Sequence, residues 1–115
     1  MEEHVRFEEN RHGNVLVAKV LETRIAADVA ARFKEDLINY VLKGNRAIVL
    51  DLSEITFIDS SGLGAMIASL KVIGDEGELV LCGARDAVIS MFKLTRMNKV
   101  FRMFPTQEEA VSALS

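Results

Sequence analysis

The stretch Asp59-Ser60-Ser61-Gly62-Leu63-Gly64 decides how this sequence is interpreted, because it lies between a strand-like segment and a helical one. The preceding segment, residues 47–58, begins with an apolar run and predicts a strand and a turn. The segment that follows carries apolar residues at the spacing of one helix face, at Leu63, Met66, Ile67, Leu70 and Ile73. The pattern therefore predicts that the hydroxyl groups of Ser60 and Ser61 lie at an exposed helix N-terminus, where a regulatory phosphate would fit.

Strand and helix patterns alternate on both sides of this stretch. Short strands near residues 5–9 and 15–20 are predicted to form a hairpin, with residues 11–14 as its turn. A helix is predicted over about residues 26–43, where apolar residues repeat every four positions, at Val29, Phe33, Leu37 and Val41. The N-terminal half of the chain thus contributes a hairpin and one amphipathic helix.

The second half continues the alternation. The apolar run at residues 47–50 predicts a central strand that is covered on both faces. A further strand at residues 78–82 and a helix at residues 85–95 follow. Thr106 and Glu109 have the spacing of a capping box, which predicts a last helix that ends near residue 114. Short connections between alternating elements predict a mixed α/β sheet with right-handed crossovers.

Composition limits the classes of function. With 115 residues, about half of them hydrophobic, residues 1–115 are expected to form a single domain. The 14 Lys and Arg against 17 Asp and Glu give a net charge of −3, without the basic surface that nucleic-acid binding needs. No apolar run approaches the roughly 18 residues of a membrane span, and the sequence begins with the charged residues Glu2 and Glu3, followed by His4 and Arg6, instead of a signal-peptide core. We therefore expect a cytoplasmic protein without a membrane partner.

The two histidines and the single cysteine add little catalytic potential. A serine nucleophile in a Gly-x-Ser-x-Gly elbow needs a histidine base, but the chain has only His4 and His12, both in the hairpin region. Cys82 stands alone in an apolar run, so we expect a buried thiol and no internal disulfide. The chain is therefore not expected to be an enzyme.

Of three other interpretations of the serine pair, two remain open on the residues alone. Nucleotide binding is unsupported, because a phosphate-binding loop needs a lysine directly after its last glycine and the next lysine after Gly64 is Lys71. A phosphoacceptor aspartate site would combine Asp51 and Asp59 around a metal ion. The simplest alternative is structural, with Asp59 or Ser60 as the helix cap and with Gly62 and Gly64 allowing close packing against a strand.

From Leu16 to about Leu114, the chain resembles the STAS domain family, and specifically the free-standing bacterial anti-sigma factor antagonists. The resemblance rests on Phe57-Ile58-Asp59-Ser60-Ser61-Gly62-Leu63-Gly64, on residues 49–53 before this motif, and on residues 77–83 after it. It implies a small mixed β-sheet with helices packed largely on one face.

The resemblance also implies a function. In such antagonists the serine that follows the aspartate, here Ser60, is phosphorylated by an anti-sigma factor that is itself a serine kinase, and a serine phosphatase reverses the modification. The unphosphorylated form binds the anti-sigma factor and releases its target. ATP would be bound by the kinase, so no cofactor and no metal is expected in this chain. The supporting and partner-binding residues would be Asp59, Ser61, Gly62, Leu63 and Gly64.

Arg24 departs from the family pattern, since many antagonists carry an acidic or small residue in that loop. We expect this difference to affect the choice of partner, which need not control a sigma factor. The alternative function is an unswitched STAS scaffold subunit of a signalling or transport complex.

Overall fold

The structure is a computed structural model, and residues 5–115 are described. Its strands and α-helices, numbered separately in chain order, are β1 (Phe7–His12), β2 (Val15–Val20), β3 (Arg24–Ile25), α1 (Ala27–Leu42), β4 (Ala47–Asp51), β5 (Phe57–Ile58), α2 (Ser60–Ile73), β6 (Glu78–Cys82), α3 (Asp86–Leu94), β7 (Met103–Phe104) and α4 (Gln107–Leu114). Short 3-10 turns at Gly74–Glu76 and Met97–Lys99 follow α2 and α3.

Five of the strands form one mixed sheet in the order β1-β2-β4-β6-β7. β1 is antiparallel to β2, and every other neighbouring pair is parallel. The apolar run at residues 47–50 lies in the middle strand, β4, as its composition predicts. Ile48 and Leu50 face one hydrophobic layer and Val49 faces the other, so β4 is covered on both sides.

The helices are divided unequally between the two faces of the sheet. The larger core cluster contains buried residues of α1, α2 and α3, whereas Ala110 of α4 belongs to a smaller cluster on the opposite face. The prediction of a mixed sheet with helices largely on one face is therefore confirmed. The larger cluster encloses the fully buried rings of Phe33, Phe92 and Phe101.

Side-chain hydrogen bonds define the start of α4 and attach this helix to the sheet. The hydroxyl oxygen of Thr106 accepts a hydrogen bond from the Glu109 amide at 3.2 Å, which confirms the predicted N-cap. Asp51, at the carboxyl end of β4, is 5% exposed. Its two carboxylate oxygens accept hydrogen bonds from the Gln107 side chain at 2.6 Å and from the Ser53 amide at 2.8 Å. The charge of Asp51 is thus used to join α4 to the central strand.

The hairpin and the connections differ from the sequence prediction in two respects. β1 runs on to His12, which pairs with Val15, so the turn consists of Gly13 and Asn14 and not of residues 11–14. Gly13 adopts a positive φ of 60°, as a tight hairpin turn requires. The structure also contains a separate parallel ladder between β3 and β5, which the sequence did not predict because two-residue strands have too few positions to show a period.

Cys82 lies at the end of β6 and is buried, as predicted. Burial, together with the nearby charge of Asp51, raises the pKa of its thiol to about 12, so the group stays protonated and unreactive at neutral pH. Separately, none of the helices within residues 5–115 combines the length and the apolar character needed to cross a bilayer.

Candidate functional site

The short β3–β5 ladder brings the starts of two helices together. Arg24 pairs with Phe57 and Ile25 pairs with Ile58, and α1 and α2 begin two residues after β3 and β5 respectively. The amide of Asp59 donates a hydrogen bond to the carbonyl of Ile25 at 3.2 Å, which extends the connection by one residue. The first turn of α2 is thereby held beside the first turn of α1.

Asp59 caps both helices with one carboxylate. Its Oδ1 accepts a hydrogen bond from the Gly62 amide at 2.9 Å, in the third position of α2. Its Oδ2 accepts from the Ala27 amide at 3.0 Å, in the first position of α1. The sequence left open whether Asp59 or Ser60 is the cap, and the structure assigns it to Asp59. The bond to α1 was not predicted, since it depends on the unpredicted ladder.

These hydrogen bonds also favour the ionised form of the Asp59 carboxyl group. The Gly62 amide, with weaker contributions from the amides of Ala27 and Ser61 and from the Arg24 guanidinium, holds the pKa of the Asp59 carboxyl below its ordinary value. Asp59 is therefore a carboxylate at neutral pH, directly beside the two serine hydroxyls.

The two glycines of the motif have different surroundings. Gly62 is buried, and a Cβ atom at this position would overlap the carbonyl oxygen of Ile25. Gly64 is exposed, and a Cβ atom there would meet nothing within 4 Å. The prediction of close packing is confirmed for Gly62 and wrong for Gly64, because Gly64 lies on the outer side of the helix. Leu63 is buried, at 9% exposure, and anchors the turn in the core.

Ser60 and Ser61 are the first two residues of α2, and both are exposed. Neither hydroxyl makes a hydrogen bond to another residue within the described range 5–115. The predicted exposure of the serine pair is thus confirmed. Both hydroxyls are accessible for modification by another protein.

Small side chains surround the outer side of this turn. A shallow cleft of about 190 Å³ lies between α1 and α2, next to Ser61 and Gly64. Apart from Lys34, its other lining residues are alanines, namely Ala30, Ala31, Ala65 and Ala68. A partner is able to approach the backbone of both helices closely here.

An exposed aromatic residue, Phe57, lies in β5, the strand that precedes the serines. Phe57 is 48% exposed, and the guanidinium carbon of Arg24 lies 5.6 Å from the centre of its ring. This distance is typical of a cation–π contact. Arg24 stands out in the sequence, but Phe57 is not predicted as a surface residue, because its exposure follows from the strand pairing and not from its own hydropathy.

The alternative chemistries find little support in this arrangement. His12 lies in the hairpin, paired with Val15, and His4 lies outside the described residues. Asp51 and Asp59 each use both carboxylate oxygens in structural hydrogen bonds. Within residues 5–115, no group of three or more His, Cys, Asp or Glu side chains is arranged to hold a metal ion. The motif thus combines a structural cap at Asp59 with exposed hydroxyl groups at Ser60 and Ser61.

Comparison with known proteins points to one family. The model of the family described as "STAS domain" matches residues 7–110. The chain is 27% identical over 100 residues to the anti-sigma-B factor antagonist of Listeria monocytogenes, covering 86% of this chain and 84% of that protein. It is 35% identical over 69 residues to the anti-sigma F factor antagonist of Paenibacillus polymyxa, covering 59% of this chain and 56% of that protein.

A similar solved structure is that of an anti-sigma factor antagonist from Mycobacterium paratuberculosis. The two folds superpose with a TM-score of 0.85 at 25% sequence identity, covering 96% of this chain and 93% of that one. The agreement extends over nearly all the described elements, and it includes the small mixed sheet and the helices on its faces.

Proposed function

Because this chain belongs to the STAS domain family, we propose that it is an anti-sigma factor antagonist whose binding to its partner is switched by phosphorylation of Ser60. The unphosphorylated form binds an anti-sigma factor with serine kinase activity and so releases the target of that factor. A serine phosphatase restores the binding form. ATP is bound by the kinase and not by this chain.

The main support for the proposal is that some residues of the motif hold the fold together whereas Ser60 does not. Asp59 and Gly62 are held against α1 and β3, whereas Ser60 is exposed with a free hydroxyl. A kinase needs access to the acceptor oxygen, and a phosphate at the first position of a helix is favoured by the helix dipole. Ser60 therefore accepts a phosphate without displacing any contact of the fold.

Before modification, the outer side of the turn supports close contact. The exposed Gly64 and the alanines of the adjoining cleft leave room for a partner's backbone or a large side chain. The exposed Arg24 and Phe57 belong to residue types that often dominate binding energy at interfaces. We expect these two to select among related kinases, with Arg24 favouring an acidic partner surface.

After modification, the same surface becomes unfavourable. A phosphoserine adds about −1.5 to −2 charges at pH 7, next to the ionised Asp59. A partner that fits the small hydroxyl has to desolvate this dianion or move away from it. A loss of about 3–5 kcal/mol of binding free energy would weaken a nanomolar complex by about 150-fold to 5,000-fold, which brings its dissociation constant to about 0.2–5 μM.

The assignment of the acceptor serine is tested by phosphorylation of matched variants. The partner kinase is captured from the native cell on the Ser60→Ala variant, which retains the unmodified surface. It is then incubated with ATP and the wild-type, Ser60→Ala or Ser61→Ala chain. Intact-mass measurement is expected to show one added phosphate on the wild type and on Ser61→Ala, and none on Ser60→Ala.

Other outcomes would lead to different functions. A phosphate on Ser60→Ala but not on Ser61→Ala would move the acceptor to Ser61. No phosphate on any chain, together with partner binding that is unaffected by Ser60→Asp, would favour the scaffold role. Turnover of ATP by the purified chain alone would contradict a non-enzymatic role.

A further inference from the structure

A second concave surface lies between α3 and the edge strand β7, and it shares no residue with the Ser60 site. Its volume is about 600 Å³, and binding sites for small molecules typically occupy about 300–1,000 Å³. Most of its lining is apolar and includes Ala84, Ile89, Val100, Met103, Phe104 and Pro105.

The position of the cleft in the fold favours ligand binding. Gly83 and Ala84 directly follow the carboxyl end of β6, and Pro105 directly follows that of β7. The cleft therefore reaches the carboxyl ends of two neighbouring strands, which is the edge of an open α/β sheet where ligands bind.

The charged groups around the cleft are all cationic. Lys93 and Lys99 are exposed at its rim, and neither forms an ion pair with another residue in the range 5–115. Arg102 is already engaged, since it bonds to Glu78 at 2.6 Å and lies 5.4 Å from the Phe104 ring centre. No described residue that lines the cleft is acidic. This local excess of positive charge occurs in a chain with a net charge of −3.

Apolar surface is exposed beside these lysines. Val100, which lines the cleft, is 47% exposed, and Leu94, directly after Lys93, is 86% exposed. A ligand that matches this arrangement has an extended apolar body and a single anionic head. We propose that the cleft binds a medium-chain fatty acid, with the carboxylate between Lys93 and Lys99 and the alkyl chain against Ile89, Val100 and Met103.

Two features favour such a ligand over an acidic peptide. β7 has only two residues, which gives an added peptide strand almost no backbone hydrogen bonds. A stable protein partner would also have to bury about 800 Å² of this chain, far more than a single concave cleft supplies. The two unpaired lysines provide point charges, which suit one carboxylate.

The test uses the full isotope-labelled chain and decanoate as the probe, observed by backbone amide chemical shifts. We expect saturable shifts confined to the cleft, at Gly83, Ala84 and residues 98–104, with no change at Ser60 or Ser61. Decanol, which has the same chain length without the charge, is expected to bind at least about tenfold more weakly.

Matched charge reversals separate the site from a general charge effect. The Lys93→Glu/Lys99→Glu variant should lower the affinity for decanoate by about tenfold or more. The Lys43→Glu/Lys71→Glu variant has the same net charge but reverses exposed lysines outside the cleft, so its affinity should equal that of the wild type. The far-ultraviolet circular dichroism of both variants should match that of the wild type.

Three results would overturn the proposal. These are the absence of saturable shifts up to the solubility limit of decanoate, equal binding of decanol and decanoate, or an equal loss of affinity in the two double variants. Displacement of decanoate by an acidic peptide that binds more tightly to the same residues would make the cleft a protein-docking site instead. Neither the ligand comparison nor the variant comparison changes Ser60, so their results are independent of the phosphorylation switch.

Discussion

The inner and outer sides of one helical turn, within residues 59–64, differ in almost every physical respect. On the inner side, Asp59 accepts a hydrogen bond from the amide of Ala27, and Gly62 packs so closely against the carbonyl of Ile25 that a Cβ atom would overlap it. On the outer side, Ser60, Ser61 and Gly64 are exposed, and neither serine hydroxyl bonds to another described residue. The contrast shows how a single short motif both holds the domain together and presents a surface that is free to change its charge.

The comparison predicts that substitutions on the inner side affect stability, whereas those on the outer side affect binding. The largest effect on stability is expected for Gly62→Ala. The new methyl group would overlap the Ile25 carbonyl, so α2 has to move away from β3 or the ladder has to break. We expect a loss of at least about 2 kcal/mol in the free energy of unfolding, measured by urea denaturation. An unchanged denaturation midpoint would contradict the close packing of this turn.

For Asp59→Asn we expect a smaller loss in the free energy of unfolding, and we expect this loss to depend on pH. The amide side chain is still able to cap α2, but its NH₂ group cannot accept the hydrogen bond from Ala27. The pKa of the Asp59 carboxyl is lowered in the folded state, so its stabilisation is present above the unfolded value, about 3.9, and is lost as pH falls through the folded value.

The difference in unfolding free energy between the wild type and Asp59→Asn should therefore be largest near pH 7 and shrink towards pH 2–3. Urea denaturation at several pH values measures it. A difference that stays constant over this range would show that the charge of Asp59 does not contribute to the fold.

The matched substitution on the outer side, Gly64→Ala, is expected to have the opposite sign. Its methyl group meets no atom within 4 Å, and alanine is favoured over glycine inside a helix by about 0.5–1 kcal/mol. The same denaturation experiment should show a more stable chain. A destabilised Gly64→Ala would mean that both glycines are needed for packing, and the two sides of the turn would no longer differ.

The smallest effect on stability is expected for Ser60→Asp. The hydroxyl makes no hydrogen bond to another described residue, and a negative charge in the first turn interacts favourably with the helix dipole, which offsets repulsion from Asp59. The unfolding free energy should stay within about 0.5 kcal/mol of the wild type. Ser61→Asp serves as the control for a charge in the second position. A large loss for Ser60→Asp alone would contradict a fold that tolerates modification.

The sequence predicted much of this architecture because the long elements have clear periods. Local sequence patterns correctly predicted three features: the helix that contains Phe33 and Leu37, the central strand that contains Ile48 and Leu50, and the helix cap at Thr106. The β3–β5 ladder was missed since two residues are too few to show a pattern.

Missing this ladder had consequences for the site. The second bond of Asp59 and the exposure of Phe57 depend on how the two segments pair, and no local rule contains that information. Likewise, Gly62 and Gly64 look equivalent in the sequence. Only the direction in which each would point a Cβ atom distinguishes them.

The most direct test of the switch is isothermal titration calorimetry with the captured anti-sigma factor kinase, using the chain unmodified and stoichiometrically phosphorylated on Ser60. The switch requires that phosphorylation weakens binding at least about a hundredfold, while the circular dichroism of the chain stays unchanged. Equal affinity of the two forms would contradict it, as would a loss of affinity that is accompanied by unfolding.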